Sequence, residues 1–424
     1  MKLLQFGAGN IGRSFLGRLF SAAGWEVVFA DVDERLVSLL NERRYYTVAI
    51  KREGREDERR RVGPVRAIPG TDAALVVSEL AGADMVSTSV GKNALESILP
   101  LIAGGLRERR RLYGDRPLDI IIAENAREAP GLFRAVLSRE LAVPAGSPEP
   151  AYPLEDLAGI VETSIGKMVP LMRARDLAAD PLLLFAEEYE SLIVDKRGFR
   201  GPIPRVKNLC PVEPIQAYVD RKLFIHNLGH AAAAYLGYRA YSRRGDGPGN
   251  GAPPGTGAVP PPAGIPQVLA LPGVEGEVRE AMAEAAAALL KEYPGVFTSA
   301  GLGAHIEDLL SRFKNTALND TVYRVGRDLP RKLGREDRLT GAMLLCAKQG
   351  LPFGAVARVY RAALDFACPG EDGALFPPDA RFREALGGEL TGTALDRVLR
   401  EVSGLTGAAG ADAAVREALL DKAV

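Results

Sequence analysis

Cysteine and histidine are scarce in this sequence, each occurring three times in 424 residues. Cys210, Cys346 and Cys368 are far apart and form no Cys-x-x-Cys pair, so neither a disulfide framework nor a thiolate metal cluster is expected. The three histidines are not combined with cysteines or carboxylates at zinc-ligand spacing. These absences disfavour a zinc-dependent protein.

An excess of charge of either sign is also missing. Basic and acidic residues number 54 each, so nucleic acids and anionic membranes are not expected as partners. No apolar run is long enough to span a bilayer, and the first strand-like segment begins at residue 2, which leaves no signal peptide. We therefore expect a cytoplasmic protein.

The length of the chain and a change of pattern along it predict two domains. Residues 1–200 alternate strand-like and helix-like segments, whereas residues 201–424 show mostly helical periodicity. The expected architecture is an α/β domain with a doubly wound parallel sheet, followed by a mostly α-helical domain.

The chain opens on a short apolar strand that runs into a Gly-x-Gly-x-x-Gly turn. Gly7 allows a sharp turn, Gly9 allows the backbone to approach a pyrophosphate, and Gly12 allows the next helix to pack closely on the strand. Free amide groups at the start of that helix favour bound phosphate. The turn therefore predicts a dinucleotide site formed by Phe6, Gly7, Gly9, Asn10, Ile11 and Gly12.

The segments after the turn favour NAD as the dinucleotide. Residues 13–23 have helical spacing, and residues 25–30 form a strand-like run that ends at Asp31. An acidic residue about 20 positions beyond the glycines contacts the adenine ribose and repels the extra phosphate of NADP. The alternative is an ordinary strand-end aspartate beside a glycine turn.

Two further strand-like runs, residues 84–90 and 118–123, end at small or polar residues. Because ligands of open α/β sheets bind at the carboxyl ends of the strands, we expect Gly91 and Asn125 to line the crevice. Residues 160–161 and 191–195 could extend the sheet. The charge-dense residues 51–61 and 107–111 are expected in solvated turns and helix ends, with a ligand contact as the alternative.

Helical periodicity in the second domain recurs in residues 212–236, 275–292, 306–312, 341–349, 353–366 and 395–402. Between the first two of these lie residues 243–267, which are dense in glycine and proline and have almost no apolar anchors. We expect an exposed, mobile insertion there. The alternative is an active-site lid.

The first of these helices carries three polar residues among apolar neighbours. At 100° per residue, Lys222, Asn227 and His230 fall within an arc of about 140°. Lys222 could serve as acid/base if its pKa were lowered, Asn227 could donate to the reacting oxygen, and His230 could orient the lysine or a substrate hydroxyl. The alternative is that all three are structural.

The segment resembles the Lys-x-x-x-x-Asn-x-x-His signature of the long-chain, metal-independent polyol dehydrogenases, in which a Rossmann domain precedes a helical domain. Residues 6–13 are similar to one branch, whose members interconvert mannitol 1-phosphate and fructose 6-phosphate. The similarity continues through residues 193–196, 221–224 and 324–333. It implies an NAD-dependent oxidoreductase that is a monomer or weak homodimer.

By this resemblance Lys222 is the catalytic acid/base, Asn125 and Asn227 flank the reacting oxygen, and His230 holds the lysine or the substrate. Arg324 and Lys332 match positions that reach the substrate. A dianionic phosphate would suit a guanidinium and an ammonium group, although surface ion pairing is the alternative for both. Departures from the family pattern occur at Ser14, residues 166–167 and Thr316.

Three functions follow as hypotheses. The first is the interconversion of mannitol 1-phosphate and fructose 6-phosphate with NAD. The second is the same chemistry on an unphosphorylated polyol or a hexuronate. The third is a nucleotide-binding regulator that has lost catalysis.

Overall fold

The computed structural model describes residues 1–125, 127–142, 152–170, 172, 174–243, 264–386 and 391–421. The chain divides into two compact units, Met1–Val219 and Asp220–Val424. Residues 244–263, most of the predicted insertion, lie outside the described part.

Strands of the first unit form two sheets. They are β1 (Lys2–Phe6), β2 (Glu26–Asp31), β3 (Tyr46–Ile50), β4 (Glu58–Val62), β5 (Val65–Pro69), β6 (Met85–Thr88), β7 (Leu118–Ile122), β8 (Ala158–Ser164), β9 (Leu184–Ala186), β10 (Leu192–Asp195) and β11 (Leu209–Val212). In the described residues the large sheet has the order β11-β10-β8-β7-β6-β1-β2-β5. Its neighbouring strands are parallel except β8 and β10, which are antiparallel. The predicted doubly wound sheet is confirmed, and residues 160–161 and 192–195 do extend it, whereas Ser191 lies just before β10.

The order of the strands locates the ligand crevice of this sheet. The chain adds β2 and β5 on one side of β1 and then crosses to β6, β7 and β8 on the other side. The carboxyl ends of β1 and β6 therefore form the topological switch point, where sheets of this type bind ligands. Gly7 follows β1 and Gly91 lies just beyond β6.

Helical segments of the first unit include those that cover both faces of the large sheet. They comprise a π-helical turn (Gly12–Gly17), α1 (Arg18–Ala22), α2 (Glu34–Arg43), α3 (Ala73–Ala81), a 3-10 turn (Lys92–Ala94), α4 (Leu95–Tyr113), α5 (Ala129–Leu141), α6 (Leu154–Leu157), α7 (Ala174–Ala179) and a second 3-10 turn (Lys196–Gly198). Successive residues of β1 enter opposite cores: Leu3 packs with Phe15 and Phe20, whereas Leu4 packs with Leu99 and Phe133. The glycine turn is thereby held between two close-packed layers.

The small sheet, of order β4-β3-β9, corrects one prediction. Residues 58–61 belong to β4, which pairs antiparallel with β3, and are not a solvated turn or helix end. The strand accepts its charges because they are paired: Arg60 contacts Glu58 at 2.7 Å and Glu190 at 2.6 Å. Charge density alone did not reveal this pairing, because Glu190 lies far from β4 in the sequence.

The second unit is helical in its described residues. Its segments are α8 (Ile215–Arg221), which begins in the first unit, a π-helical turn (Lys222–Asn227), α9 (Leu228–Arg243), α10 (Ile265–Leu269), α11 (Val274–Glu292), α12 (Ser299–Phe313), a 3-10 turn (Thr316–Leu318), α13 (Val322–Gly326), α14 (Leu329–Lys332), α15 (Thr340–Lys348), α16 (Gly354–Leu364), α17 (Pro377–Leu386), α18 (Gly392–Glu401) and α19 (Ala411–Leu420). Four consecutive alanines of α9, residues 231–234, are fully buried, which lets neighbouring helices approach closely. None of the described helices is both long enough and apolar enough to cross a bilayer.

The helix predicted at residues 212–236 begins three residues later and extends to Arg243. Its stretch Lys222–Asn227 is π-helical, so the 100° spacing used to place Lys222 and Asn227 was wrong there. The helix predicted at residues 306–312 begins already at Ser299, because the Thr298 hydroxyl accepts a hydrogen bond from the Gly301 amide at 3.0 Å and caps it.

Candidate active site

The three glycines of the N-terminal turn meet three different spatial demands. Gly7 has a φ of +87°, and a Cβ there would lie 2.6 Å from the Ser89 carbonyl oxygen. A Cβ on Gly12 would lie 2.0 Å from the Gly7 carbonyl oxygen. A Cβ on Gly9 would meet no described atom within 4 Å, so the space over the turn is open for a phosphate group. These residues fit a bound dinucleotide.

The other predicted residues of the turn occupy distinct environments. Phe6 is buried at the end of β1, 2% exposed, and pairs with Ala30 of β2. Asn10 is exposed, and Ile11 is half-buried at the start of the π-helical turn. The backbone amides of Asn10 and Ile11 therefore belong to the helix start, where anions bind.

Asp31 is tied directly to the glycine turn. One carboxylate oxygen accepts a hydrogen bond from the Ala8 amide at 2.6 Å, and the other accepts from the Asp33 amide at 3.0 Å. The structure thus places Asp31 beside the turn, as the sequence predicted. Each oxygen retains a further lone pair that can accept a ribose hydroxyl.

Gly91 and Asn125 lie beyond the ends of β6 and β7. Gly91 has a φ of +85° and precedes the 3-10 turn, while Asn125 is exposed. Between them Glu124, which sequence reasoning missed, accepts hydrogen bonds from the Val90 amide at 2.9 Å and the Gly91 amide at 3.0 Å. Glu124 thereby fastens the end of β7, and with it the start of the Asn125 segment, to the loop after β6. Its position at a strand end next to Asn125 was the available signal.

Lys222 and Asn227 begin and end the π-helical turn of the second unit. In a π-helix the hydrogen bonds join residues i and i+5, so these two residues stand one turn apart. His230 follows Asn227 by three residues in α9, which is the spacing of neighbours on one helix face. The local backbone therefore aligns the three predicted residues more closely than a regular α-helix would.

The surroundings of Lys222 disfavour its charged form. Burial, together with repulsion from Arg338, lowers the pKa of the Lys222 ammonium to about 8, against an opposing attraction from Asp337. Arg338 is itself fixed, because it donates to Asp337 at 2.7 Å and to the Asn227 carbonyl oxygen at 3.4 Å. A lysine in this environment exchanges a proton near neutral pH, as an acid/base group must.

His230 contacts two residues that the sequence did not single out. Its Nε2 lies 3.1 Å from a carboxylate oxygen of Asp320, which is 5% exposed, and its ring stacks on Phe313 with 4.9 Å between centroids. The nearby His226 is 6% exposed, and burial holds its pKa well below the ordinary histidine value, so it is neutral. Asp320 and Phe313 therefore fix the ring of His230.

Arg324 and Lys332 have different partners. Arg324 forms an ion pair with Asp320 four residues earlier, a charge spacing that the sequence already displays. Lys332 is 5% exposed and donates to the carbonyl oxygens of Val325, at 2.6 Å, and Arg327. Lys332 thus anchors the backbone that follows Arg324.

The described residues contain no group of three or more His, Cys, Asp or Glu side chains placed to hold a metal ion. The structure does bring together two pairs, His230 with Asp320 and Lys222 with Arg338, and these residue types are suited to proton transfer and to binding an anion.

Comparison with known proteins identifies the family of this chain. Residues 1–208 match the model of the mannitol dehydrogenase Rossmann domain. The chain is 32% identical over 369 residues to the mannitol-1-phosphate 5-dehydrogenase of Brevibacillus brevis, covering 87% of each sequence. This chain belongs to the mannitol dehydrogenase family.

Two solved structures share the fold of this chain over nearly all of its length. A D-sorbitol dehydrogenase in substrate-free form superposes with a TM-score of 0.72 at 16% identity, covering 99% of this chain and 91% of that one. The Pseudomonas fluorescens mannitol 2-dehydrogenase, in a ternary complex with NAD and D-mannitol, gives 0.68 at 15% identity with the same coverage. The resemblance predicted from the sequence is confirmed. As a family member the chain is an oxidoreductase that uses a nicotinamide cofactor and acts on a small molecule.

Proposed function

We propose that this protein interconverts mannitol 1-phosphate and fructose 6-phosphate, with NAD as the cofactor. The observation that carries the proposal is the aligned set Lys222, Asn227 and His230, with a lysine pKa of about 8, in a chain whose 32% identical relative is a mannitol-1-phosphate 5-dehydrogenase. The relative supports the substrate, and the side chains support the reaction.

Lys222 handles the proton of the reaction. When bound, the nicotinamide ring would supply a hydride to the carbonyl carbon in reduction and would accept a hydride from the carbinol carbon in oxidation. In the direction of reduction, the Lys222 ammonium gives a proton to the carbonyl oxygen; in the direction of oxidation, the neutral amine takes the hydroxyl proton. Asn227 donates a hydrogen bond to that oxygen as charge develops on it, and the family resemblance assigns the same role to Asn125. His230, held by Asp320 and Phe313, fixes the lysine or a substrate hydroxyl.

Arg324 is our candidate for recognising the phosphate. Guanidinium groups bind phosphate through paired hydrogen bonds, and burial together with Arg327 lowers the pKa of Arg324, so an additional anion is favourable there. Lys332 serves this role by holding the main chain at Val325 and Arg327 in place.

Asp31 supports NAD over NADP. A 2′-phosphate would approach a carboxylate that is fixed by two backbone amides and cannot turn away without breaking them. The glycine turn and Asp31 are therefore our proposed cofactor site.

A ketose panel tests the proposal. Purified enzyme with NADH is given fructose 6-phosphate, fructose or fructuronate, and the loss of NADH absorbance is followed. We expect fructose 6-phosphate to have the highest kcat/KM. Faster turnover of an unphosphorylated ketose would refute the phosphate substrate, and binding of NADH without turnover of any ketose would indicate a non-catalytic regulator.

A further inference from the structure

We propose that Arg13 is a positioning residue for the pyrophosphate of the cofactor. Its guanidinium donates a hydrogen bond to a carbonyl oxygen of the glycine turn, and this contact orients a backbone amide of the turn toward the phosphate. This inference rests on the proposed dinucleotide site. Arg13 follows the last glycine of the turn and does not itself belong to the Gly-x-Gly-x-x-Gly pattern.

The side chain of Arg13 is buried inside the first unit, 7% exposed. Its Nε donates to the Ala8 carbonyl oxygen at 2.5 Å, and one terminal nitrogen donates to the Leu182 carbonyl oxygen at 3.1 Å. The Tyr46 hydroxyl in turn donates to the Arg13 carbonyl oxygen at 2.7 Å. Arg13 therefore links the turn to β3 and to the loop before β9.

The two sides of Ala8 are held by opposite charges. Its amide donates to the Asp31 carboxylate at 2.6 Å, and its carbonyl oxygen accepts from Arg13. In a planar trans peptide the C=O of one residue and the N–H of the next point in opposite directions. Because the Ala8 carbonyl points toward Arg13, the Gly9 amide points away from Arg13. The space beside Gly9 is open, since a Cβ there would meet no described atom within 4 Å.

The charge of Arg13 gives a second reason. Its hydrogen bonds go to carbonyl oxygens, and burial lowers the pKa of its guanidinium, with Tyr46, Asp31, Asp180 and Asp33 acting in the opposite sense. A buried cation is costly unless a compensating charge is present. The pyrophosphate would add two negative charges close to the turn to those of Asp31, Asp33 and Asp180, which would stabilise this buried cation further.

Arg18 provides a matched comparison on the same helical segment. It is also buried, 5% exposed, and its Nε also donates to a carbonyl oxygen, that of Ser14 at 3.0 Å. Unlike Arg13, it is paired with a carboxylate, that of Glu190. Replacing Arg18 therefore removes a buried arginine without removing a contact to Ala8.

The test compares Arg13→Met, Arg13→Lys and Arg18→Met in the full-length protein. The Kd for NADH is measured by fluorescence titration, the unfolding temperature is recorded, and KM for NADH and kcat are determined separately. We expect Arg13→Met to raise the Kd about tenfold or more, since a hydrogen bond from a charged group is lost at the phosphate-binding turn. Arg13→Lys keeps the charge and should recover part of the affinity. The loss should fall on the KM for NADH more than on kcat.

Arg18→Met should lower the unfolding temperature while the Kd for NADH stays within about twofold of wild type. A folded Arg13→Met protein with wild-type Kd would overturn the inference, as would an equal loss of affinity in Arg18→Met. If Arg13→Met does not fold, Arg13→Lys decides, and an unchanged Kd contradicts the inference. A wild-type protein that binds no NADH would refute the proposed function together with this inference, whereas normal binding in wild type and in both Arg13 variants refutes this inference alone.

Discussion

Nε2 of His230 and a carboxylate oxygen of Asp320 lie 3.1 Å apart in the second unit. The same carboxylate is ion-paired with Arg324, so the residue proposed to hold the lysine or substrate and the residue proposed to bind the phosphate share one buried acid. Asp320 is thus expected to couple the two functions.

Asp320→Asn should lower kcat/KM for fructose 6-phosphate about 10- to 100-fold, because the amide no longer attracts either partner. His230→Ala should cause a loss of similar size, and the double variant should lose less than the product of the two. Steady-state kinetics on the three variants measures this, with Asp412→Asn as the control: Asp412 is also buried and paired with an arginine, Arg335. Multiplicative losses would mean that the two side chains act independently.

The pH dependence should follow Lys222, whose pKa is about 8. Reduction needs the protonated lysine, so kcat/KM for the ketose should be constant below about pH 8 and fall about tenfold per pH unit above it. Oxidation needs the neutral lysine and should show the opposite profile. Arg338→Met removes the like charge and releases Asp337, both of which raise the lysine pKa, so both profiles should move to higher pH. A pH profile that is unchanged in Arg338→Met would show that the titrating group is not Lys222.

Arg324→Ala should raise the KM for fructose 6-phosphate about tenfold or more and leave the weaker turnover of fructose almost unchanged. The ratio of the two kcat/KM values is the measurement. Arg335→Ala is the matched control, since Arg335 is a partly exposed arginine of the same unit that is paired with Asp412. An equal loss of kcat/KM with both ketoses would show that Arg324 does not recognise the phosphate group.

Asp31→Ser should have two effects on the cofactor. Removing the carboxylate relieves repulsion of the 2′-phosphate, so the NADPH/NADH preference should move about tenfold toward NADPH. It also removes the acceptor of the Ala8 amide, so NADH should itself bind more weakly. Titration with both cofactors checks this, with Asp72→Ser as the control, because Asp72 caps α3 at the Leu75 amide and should affect stability only. A gain for NADPH with no loss for NADH would show that the Asp31–Ala8 bond is dispensable.

The glycine turn and Asp31 were predictable because their spacing is local and each glycine answers a backbone requirement. The small sheet was not predictable to the same degree: β4 consists mostly of charged residues whose partner Glu190 lies far along the chain. The edge strand β11 also escaped prediction, since its four residues include a proline. The structure of such segments depends on contacts with residues that are distant in the sequence.

The same contrast holds for the second unit. Lys222, Asn227 and His230 stood out as polar residues on an apolar helix, but the π-helical turn that aligns the first two is not visible in residue spacing. Asp320 and Arg338 lie about 100 residues from the helix, so only the fold brings them to His230 and Lys222. Lys222 could thus be proposed as the acid/base from the sequence, whereas the groups that lower its pKa could not be identified there.

The most direct test of the account is a single-turnover experiment on Lys222→Ala with NADH already bound. NADH is mixed with excess enzyme, fructose 6-phosphate is added, and the decay of NADH absorbance is followed for wild type, Lys222→Ala and the surface control Lys348→Ala, whose side chain is 61% exposed and paired with Glu292. We predict that Lys222→Ala binds NADH with nearly wild-type affinity and oxidises it about 100- to 10,000-fold more slowly, while Lys348→Ala behaves as wild type. Oxidation of NADH by Lys222→Ala at the wild-type rate would contradict the account.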